Sequence, residues 1–388
     1  MKNFIYHNPS KLIFTKDIQT DLANELSTYQ VKNLLLVYSG DYINDLGIMA
    51  VIEDICSKQH INLFKCSKVV ANPKIELVKE MSELGKKEGV DFILAVGGGS
   101  AIDSAKAIAL SIPYPKDPWD FFCTSITPST AIPVGVISTL PSSGSETSNA
   151  AIISKGLEKK GVETQLIIPK FAIANPEYTL TLPSYQSFCG IADILSHLLE
   201  RYFTNIKNVD TTDYLIEGAI KSLLLNAERI KLNPSDINAR AEIQILSTIA
   251  HNNSLDMGRE SCWGAHRIEH ELSAQYNVTH GEGMAIVFIA WCKYVAEKNP
   301  FKLAQLACRV FNYDPLTHSH EELAFLLAKE LKHFFSGLDL KVSLSQLNID
   351  KKHFNIMANR ATNNNKNPIG HYIKLYNEDI IDILTLAL

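Results

Sequence analysis

The segment Phe92-Ile-Leu-Ala-Val-Gly97-Gly98-Gly99-Ser100-Ala-Ile-Asp103-Ser-Ala-Lys106-Ala-Ile-Ala-Leu110 joins an apolar run to an alanine-rich helical pattern through three glycines. This order predicts a buried parallel strand, a tight turn and a covering helix. Glycines let backbone amides approach an anion closely, and a helix N-terminus adds partial positive charge. The spacing is not G-x-G-x-x-G, so the turn is either a phosphate site or only a tight connection. Ser100 suits either a phosphate ligand or the N-cap.

The same alternation of apolar runs and helical patterns extends over residues 1–182. The start of the chain shows a short alternating strand pattern, and Ile75 to Lys87 has helical periodicity. Near-continuous apolar strands between helices predict an α/β dinucleotide-binding domain with a parallel sheet. The further predicted strands are Leu34–Tyr38, Ile61–Phe64, Ile132–Ile137 and Leu166–Ile168.

A second loop of small polar residues, Ser138 to Thr147, follows the Ile132 strand and includes Thr139 and Ser142. Its hydroxyls would suit either a phosphate or ribose contact or the capping of a helix. Together with the glycine turn, the loop favours a two-sided cradle for a dinucleotide. Lys159 and Lys160 are predicted in a turn before Gly161, as solvated charges unless one of them meets the cofactor.

From residue 183 onward the strand pattern gives way to helical periodicity, which places a domain boundary near residue 182 and predicts an all-helical domain over 183–388. The predicted helices are Tyr185–Phe203, Thr211–Leu232, Asp236–His251, Ser261–Ser273, Glu282–Lys298, Glu321–Phe335 and Asp379–Ala387.

The helical half carries a group of residues that are typical metal ligands. In Gly190-Ile-Ala-Asp193-Ile-Leu-Ser-His197 a carboxylate and an imidazole share one helix face. Burying Asp193 among aliphatic neighbours would cost several kcal/mol without a cation or strong donors. His266, His270 and His280 offer further imidazoles, so a divalent transition metal fits, in a catalytic or a structural site. The other histidines are predicted to be structural or on the surface: His7, His60, His251, His318, His320, His333, His353 and His371.

Composition excludes several classes of protein. The 388 residues are 46% hydrophobic and 20% charged, with a formal net charge of -5 and no basic run, so we expect no nucleic-acid partner. No apolar run approaches the length of a membrane span, and the N-terminus lacks the apolar region of a signal peptide. Seven cysteines without a regular spacing favour a reducing cytoplasm over a disulfide framework.

Taken together, these stretches resemble the iron-containing (group III) alcohol dehydrogenase family, in its branch of butanol dehydrogenases and NADPH-dependent aldehyde reductases. The resemblance runs nearly end to end. The stretches that carry it are Val96–Lys106, Thr139–Glu146, Pro169–Glu177, Gly190–His197, Gly258–Glu260, His266–Ala274 and Thr279–Gly281.

The resemblance implies a Rossmann-like N-terminal domain and a helical metal-binding domain, the dehydroquinate synthase-like architecture, and commonly a homodimer. It implies that one divalent ion, Fe(II) or Zn(II), is held by Asp193, His197, His266 and His280, with His270 beside them, unligated, as a catalytic proton donor or relay. It also implies contacts with the cofactor from Ser39, Gly40, Gly97, Gly98, Gly99, Ser100, Asp103, Thr139, Ser142 and Lys159.

The choice of cofactor depends on the end of the second strand, where NAD-dependent relatives tend to carry an acidic residue. Tyr38-Ser39-Gly40 has none, which removes like-charge repulsion against a 2'-phosphate and favours NADP(H) over NAD(H). Asp41, two residues beyond Ser39, weakens this preference.

The expected activity is therefore the metal-dependent, NAD(P)-linked interconversion of short-chain primary alcohols and aldehydes. Two alternatives stay open: a polyol dehydrogenase or sugar-phosphate lyase on the same scaffold, and a non-catalytic metal- or nucleotide-binding protein. Trp119, Phe121 and Phe122 are candidates for an apolar substrate wall, although core packing is the simpler explanation for at least two of them.

Overall fold

The computed structural model describes residues 1–124 and 126–388, and the chain divides into two compact units. One unit is His7–Leu182. The other combines Met1–Tyr6 with Pro183–Leu388, so the first six residues belong with the helical half of the chain. Among the described residues, no helix combines the length and the apolarity that crossing a bilayer requires.

The first unit alternates strands and helices as the sequence predicts. Its strands are β1 (Lys11–Phe14), β2 (Asn33–Tyr38), β3 (Asn62–Cys66), β4 (Phe92–Gly97), β5 (Val134–Ser138), β6 (Ala150–Lys155), β7 (Glu158–Glu163) and β8 (Phe171–Ala174). Its helices are α1 (Ile18–Thr28), α2 (Tyr42–Asp45), α3 (Ile48–Lys58), α4 (Ile75–Glu88), α5 (Gly99–Ser111) and α6 (Asp120–Cys123).

Six of these strands form one parallel sheet in the order β1-β8-β5-β4-β2-β3. From β2 the chain runs to β3 on one side and then crosses back to β4 on the other. The connection after β2 therefore leads towards one edge of the sheet, and the connection after β4 leads towards the other edge. The boundary between β2 and β4 is a topological switch point, and open α/β sheets bind ligands there, at the carboxyl ends of the strands. Separate apolar clusters cover the two faces of the sheet.

Two local predictions in this unit were wrong. Residues 165–167 form a short 3-10 helix rather than a strand, with the Thr164 side chain accepting a hydrogen bond from the Leu166 amide and proline following at 169. Lys159 and Lys160 lie on β7, because the β6–β7 hairpin turns earlier, at Gly156, whose φ is +57°. The short strand expected near the start of the chain is present as β1, which begins at Lys11.

The second unit is helical, and its strand-like pairing among the described residues is a single bridge between Ile369 and Leu375. Two of its helices, α7 and α11, are buried along most of their length and form the centre of the unit. The helices are α7 (Ser184–Tyr202), α8 (Asp210–Leu232), α9 (Ile237–His251), α10 (Gly264–Tyr276), α11 (His280–Ala296), α12 (Phe301–Phe311), α13 (His320–Gly337), α14 (Phe354–Ala361) and α15 (Asn377–Leu386).

Candidate metal centre and nucleotide site

Eight of the ten predicted nucleotide residues lie at the switch point of the sheet. Gly97 ends β4, with Gly98, Gly99 and Ser100 leading into α5. Ser39 and Gly40 follow β2, the neighbouring strand on one side. Thr139 and Ser142 follow β5, the neighbour on the other side, where Gly97 pairs with Ser138. Parallel strands thus bring three separate stretches of sequence to one edge.

The glycine turn is packed too closely for side chains. A Cβ on Gly99 would lie 2.6 Å from the Ser143 hydroxyl, and one on Gly97, whose φ is +148°, would lie 3.0 Å from the Ala101 Cβ. Helix α5 begins at Gly99, so Ser100 lies inside the first turn. The alternative in which Ser100 is the N-cap was therefore wrong. Because the N-cap is Gly98, no side chain in that position competes with an anion for the first amides of the helix.

Tyr42 adds a contact that the sequence analysis did not name. Its hydroxyl lies 3.0 Å from the Thr139 Oγ1, which joins the loop after β2 to the loop after β5. The same hydroxyl would lie 3.4 Å from a Cβ on Gly97, so Tyr42 stands over the glycine turn. No spacing rule identifies a tyrosine in this role from sequence.

Asp103 and Lys106, on α5, hydrogen bond to the loop after β5. Asp103 accepts hydrogen bonds from the Ser145 hydroxyl at 2.6 Å and the Ile152 amide at 2.9 Å. Lys106 is fully buried and donates to Ser145, at 3.0 Å, and to the carbonyl oxygen of Ser148, at 2.8 Å. Burial lowers the pKa of Lys106 to about 8, although Asp103 raises it. Burial raises the pKa of Asp103, and the charges of Lys106 and of Lys159, on β7, oppose that shift.

In the helical unit, ligand atoms of Asp193, His266 and His280 lie within 4.8 Å of one another, and Asp193 and His266 are buried. The Asp193 Oδ1 has no hydrogen-bond partner among the described residues, although the His280 Nε2 lies 3.4 Å from it and the His197 Nδ1 3.5 Å. A buried carboxylate oxygen that faces two imidazole nitrogens without a hydrogen bond is the arrangement expected where a cation completes the site. These residues fit a divalent metal.

His197, the fourth predicted ligand, lies at the side of this group. Its ring centroid is 4.7 Å from that of His266, and its Nδ1 faces Asp193. Burial holds the pKa of His197 well below its usual range, so the imidazole is neutral, as metal ligation requires. Burial also tends to raise the pKa of Asp193, but His197 and His280 together lower it below its ordinary value.

Two glycines bring His280 to this position at the start of α11. A Cβ on Gly281 would lie 2.0 Å from the backbone oxygen of Cys189 on α7, and one on Gly283 would lie 2.8 Å from a carboxylate oxygen of Glu269 on α10. The backbone of α11 can therefore contact α7 and α10 directly, which places His280 beside Asp193.

Two buried glutamates stand behind the imidazoles. Glu200, one turn after His197 on α7, accepts hydrogen bonds from the His266 Nδ1 at 3.1 Å and the His266 amide at 2.9 Å. Because that amide belongs to the first turn of α10, Glu200 also caps this helix. Glu269, on α10, hydrogen bonds to the His280 Nδ1. Both glutamate side chains are 0% exposed.

Other rings surround the group. The ring centroid of His270 lies 5.8 Å from that of His280. The predicted role of His270 as proton donor requires such a position near the ligands. His251 was assigned to the structural or surface set, but its ring lies 4.4 Å from that of His197, because the C-terminus of α9 reaches this centre. Trp263, at a φ of +57°, packs 5.2 Å from His266. The three aromatic residues considered for a substrate wall, Trp119, Phe121 and Phe122, are buried in a core cluster of the first unit.

Comparison with known proteins places both units in one family. The family description "Iron-containing alcohol dehydrogenase" matches residues 9–176, and "Fe-containing alcohol dehydrogenase family, C-terminal" matches residues 188–388. A probable NADH-dependent butanol dehydrogenase of Bacillus subtilis is 33% identical over 100% of both chains. The NADPH-dependent aldehyde reductase YqhD of Escherichia coli is 29% identical over 90% of both.

Solved structures agree with this grouping. The crystal structure of NADH-dependent butanol dehydrogenase A from Thermotoga maritima superposes with a TM-score of 0.95 at 33% identity, covering 100% of this chain and 99% of that one. A crystal structure of YqhD from Escherichia coli gives a TM-score of 0.94 at 27% identity, with the same coverage.

Proposed function

The chain belongs to the iron-containing alcohol dehydrogenase family, in the branch of butanol dehydrogenases and aldehyde reductases, and from that premise we propose that it interconverts short-chain primary alcohols and aldehydes. The observation that carries the proposal is that ligand atoms of Asp193, His266 and His280 lie within 4.8 Å of one another. The family implies a divalent metal and a nicotinamide cofactor for this reaction.

We propose that Asp193, His197, His266 and His280 hold the metal. Bound there, a divalent ion supplies a Lewis acid for the substrate oxygen, and a reduced nicotinamide supplies the hydride. One carboxylate and three neutral imidazoles leave such a centre with a formal charge of +1, which preserves its attraction for that oxygen. Fe(II) and Zn(II) both accept this ligand set.

The residues around the centre have separate tasks. Glu200 orients the imidazole of His266 through its Nδ1 atom. His270 donates a ring proton to the substrate oxygen as the alcohol forms. Trp263 packs with its ring edge-on to the imidazole of His266 and restricts the movement of that ring.

The cofactor would be bound by Gly97 to Ser100 at its pyrophosphate, with Ser39, Gly40, Thr139 and Ser142 as further candidates at the same sheet edge. Asp103, on α5, and Lys159, on β7, are the remaining candidates. The finer choice of NADP(H) over NAD(H) rests on the lack of a carboxylate at residues 38–40. Asp41, which precedes α2, is the carboxylate that opposes it.

An Asp41→Asn variant tests this choice, because removing the carboxylate removes its repulsion of a 2'-phosphate. We expect kcat/KM to be higher with NADPH than with NADH in the wild type. In the variant we expect the NADPH/NADH ratio to rise by about tenfold, which corresponds to about 1.4 kcal/mol. A wild-type preference for NADH would overturn the choice of NADP(H).

A homodimer is also proposed, from the family resemblance alone, and light scattering of the purified chain tests it. A cytoplasmic location is proposed because all seven cysteines are free thiols.

The activity itself is tested by loading the anaerobically purified chain with Fe(II) or Zn(II) and following NADPH and NADH oxidation with a panel of short aldehydes, butanal included. We expect turnover that requires both the aldehyde and the metal. Binding of the cofactor without turnover of any aldehyde in the panel would favour the non-catalytic alternative.

A further inference from the structure

Glu269 is the buried acidic residue at this centre for which neither the sequence nor the proposed reaction supplies a role. Its side chain is 0% exposed, and its two carboxylate oxygens are directed to different partners. One oxygen hydrogen bonds to the His280 Nδ1, and the other to the Ser273 hydroxyl one helical turn away. Burying a carboxylate costs free energy, and strong hydrogen-bond donors are needed to compensate that cost.

Helix α11, which faces Glu269, has a glycine at the point of contact with this carboxylate. A Cβ at Gly283 would lie 2.8 Å from the Glu269 Oε1 and 2.9 Å from its Cγ, so a side chain there would displace Glu269. Gly283 lies three residues after His280 on α11. The same helix therefore carries the imidazole and the space for the carboxylate that contacts it.

Glu269 could instead be a metal ligand, because ligand atoms of Glu269, His270 and His280 also lie within 4.8 Å of one another. However, Glu269 and the His280 Nδ1 are in direct hydrogen-bonding contact, which leaves no room for an ion between them. The other nitrogen of the ring, Nε2, faces Asp193 at 3.4 Å. Glu200 makes the equivalent contact with the His266 Nδ1.

We propose that Glu269 is a positioning residue that acts on the metal through His280. The inference rests on the proposed metal at Asp193, His266 and His280. The carboxylate holds the proton of His280 on Nδ1, which leaves the Nε2 lone pair for the metal, and its negative charge makes that nitrogen a stronger donor. Gly283 keeps the carboxylate in place.

The test titrates the metal-free full chain with Co(II), a divalent ion with a visible absorption spectrum, and measures affinity by competition with a chelator. The wild type should bind one Co(II). Glu269→Gln should weaken the affinity by about 10–100-fold and shift the Co(II) absorption bands, because the charge behind His280 is lost. Gly283→Ala keeps every charge but moves the carboxylate, and should shift the bands in the same way.

Glu217→Gln is the matched control, since Glu217 is a buried glutamate of the same unit that contacts Tyr202 and Arg309. It should bind Co(II) as the wild type does. If Glu269→Gln does not fold, as judged by circular dichroism of the metal-free chain, Gly283→Ala decides the test.

Three results would overturn the inference. If the Glu269 and Gly283 variants keep the wild-type Co(II) affinity and spectrum, Glu269 has no positioning role. If Glu217→Gln weakens Co(II) affinity as much as Glu269→Gln does, the effect comes from a general loss of stability. Two Co(II) per wild-type chain, with one lost in Glu269→Gln, would make Glu269 a ligand. A wild type that binds no Co(II) would instead contradict the proposed metal site itself.

Discussion

Asp193 shows how a metal site can be predicted from the sequence around one residue. A carboxylate between aliphatic neighbours on a buried helix needs a compensating charge, and the side chain lies beside the imidazoles of His197 and His280. The pKa of Asp193 lies below its ordinary value despite the burial, because these imidazoles favour the carboxylate. The residue is thus ready to bind a cation.

The role of His270 can be separated from that of the ligands by substitution. His270→Ala should keep the metal and lower kcat by about 10²- to 10⁴-fold, the usual contribution of general acid catalysis. His266→Ala, the comparison variant four residues earlier, should lose both metal and activity. Metal analysis and steady-state rates measure the two effects, and wild-type turnover in His270→Ala would exclude it as the proton donor.

Lys106 gives the first unit a predicted pH dependence. The pKa of Lys106 is lowered to about 8 by burial, while its ordinary value is 10.5. Between these two values the unfolded chain binds more protons than the folded chain, so raising the pH stabilises the folded state. Relative to Lys106→Met, the wild type should gain up to about 3 kcal/mol in its free energy of unfolding over this range.

Urea unfolding of both proteins at pH 7.5, 8.5 and 9.5 measures this difference, and the variant cancels the titration of other groups. A difference that is constant with pH would mean that Lys106 is charged in the folded state throughout this range.

The residues that the sequence analysis named are those with intrinsic metal or anion chemistry, while the residues that support them were missed. Asp193 and His266 are recognisable because their types are unusual in a buried helix. Glu200, Glu269 and Tyr42 have no such mark, because their roles depend on which helix or loop lies opposite. His251 was assigned elsewhere for the same reason.

At the level of elements, the start of α11 depends on glycines for its close contacts. Gly281 lies against the backbone of Cys189 on α7, and no other residue fits there without moving one of the two helices. The position of His280 relative to Asp193 follows from that contact.

Gly281→Ala should therefore weaken metal binding and lower the free energy of unfolding by about 1–3 kcal/mol, the usual cost of overpacking. Gly218→Ala is the control, since its Cβ would meet nothing within 4 Å on the exposed face of α8. There, alanine should stabilise the helix by about 0.5–1 kcal/mol. Denaturant unfolding and Co(II) titration measure both variants, and equal behaviour would contradict the packing argument.

The prediction of elements succeeded where periodicity was long and failed where it was short or interrupted. Helices α7, α8 and α9 begin and end within a residue or two of their predicted limits. The hairpin β6–β7 was missed, because a polar strand such as Glu158–Glu163 has no apolar run to identify it. The amphipathic helix α12, between two loops, was also not predicted.

In the whole molecule, each of the two units holds one of the two predicted sites. The first presents glycines and hydroxyls at the switch point of a parallel sheet, and the second presents a carboxylate and imidazoles between buried helices. The architecture predicted from sequence is confirmed, because each unit matches its part of one enzyme family.

The most direct test of the central claim is to measure metal content and aldehyde-dependent oxidation of NADPH and NADH together, while a chelator removes the metal stepwise from the wild-type chain. We expect one divalent ion per chain at the start, activity that falls in proportion to the ion, and recovery when Fe(II) or Zn(II) is restored. Full turnover of butanal by the metal-free chain would contradict this expectation.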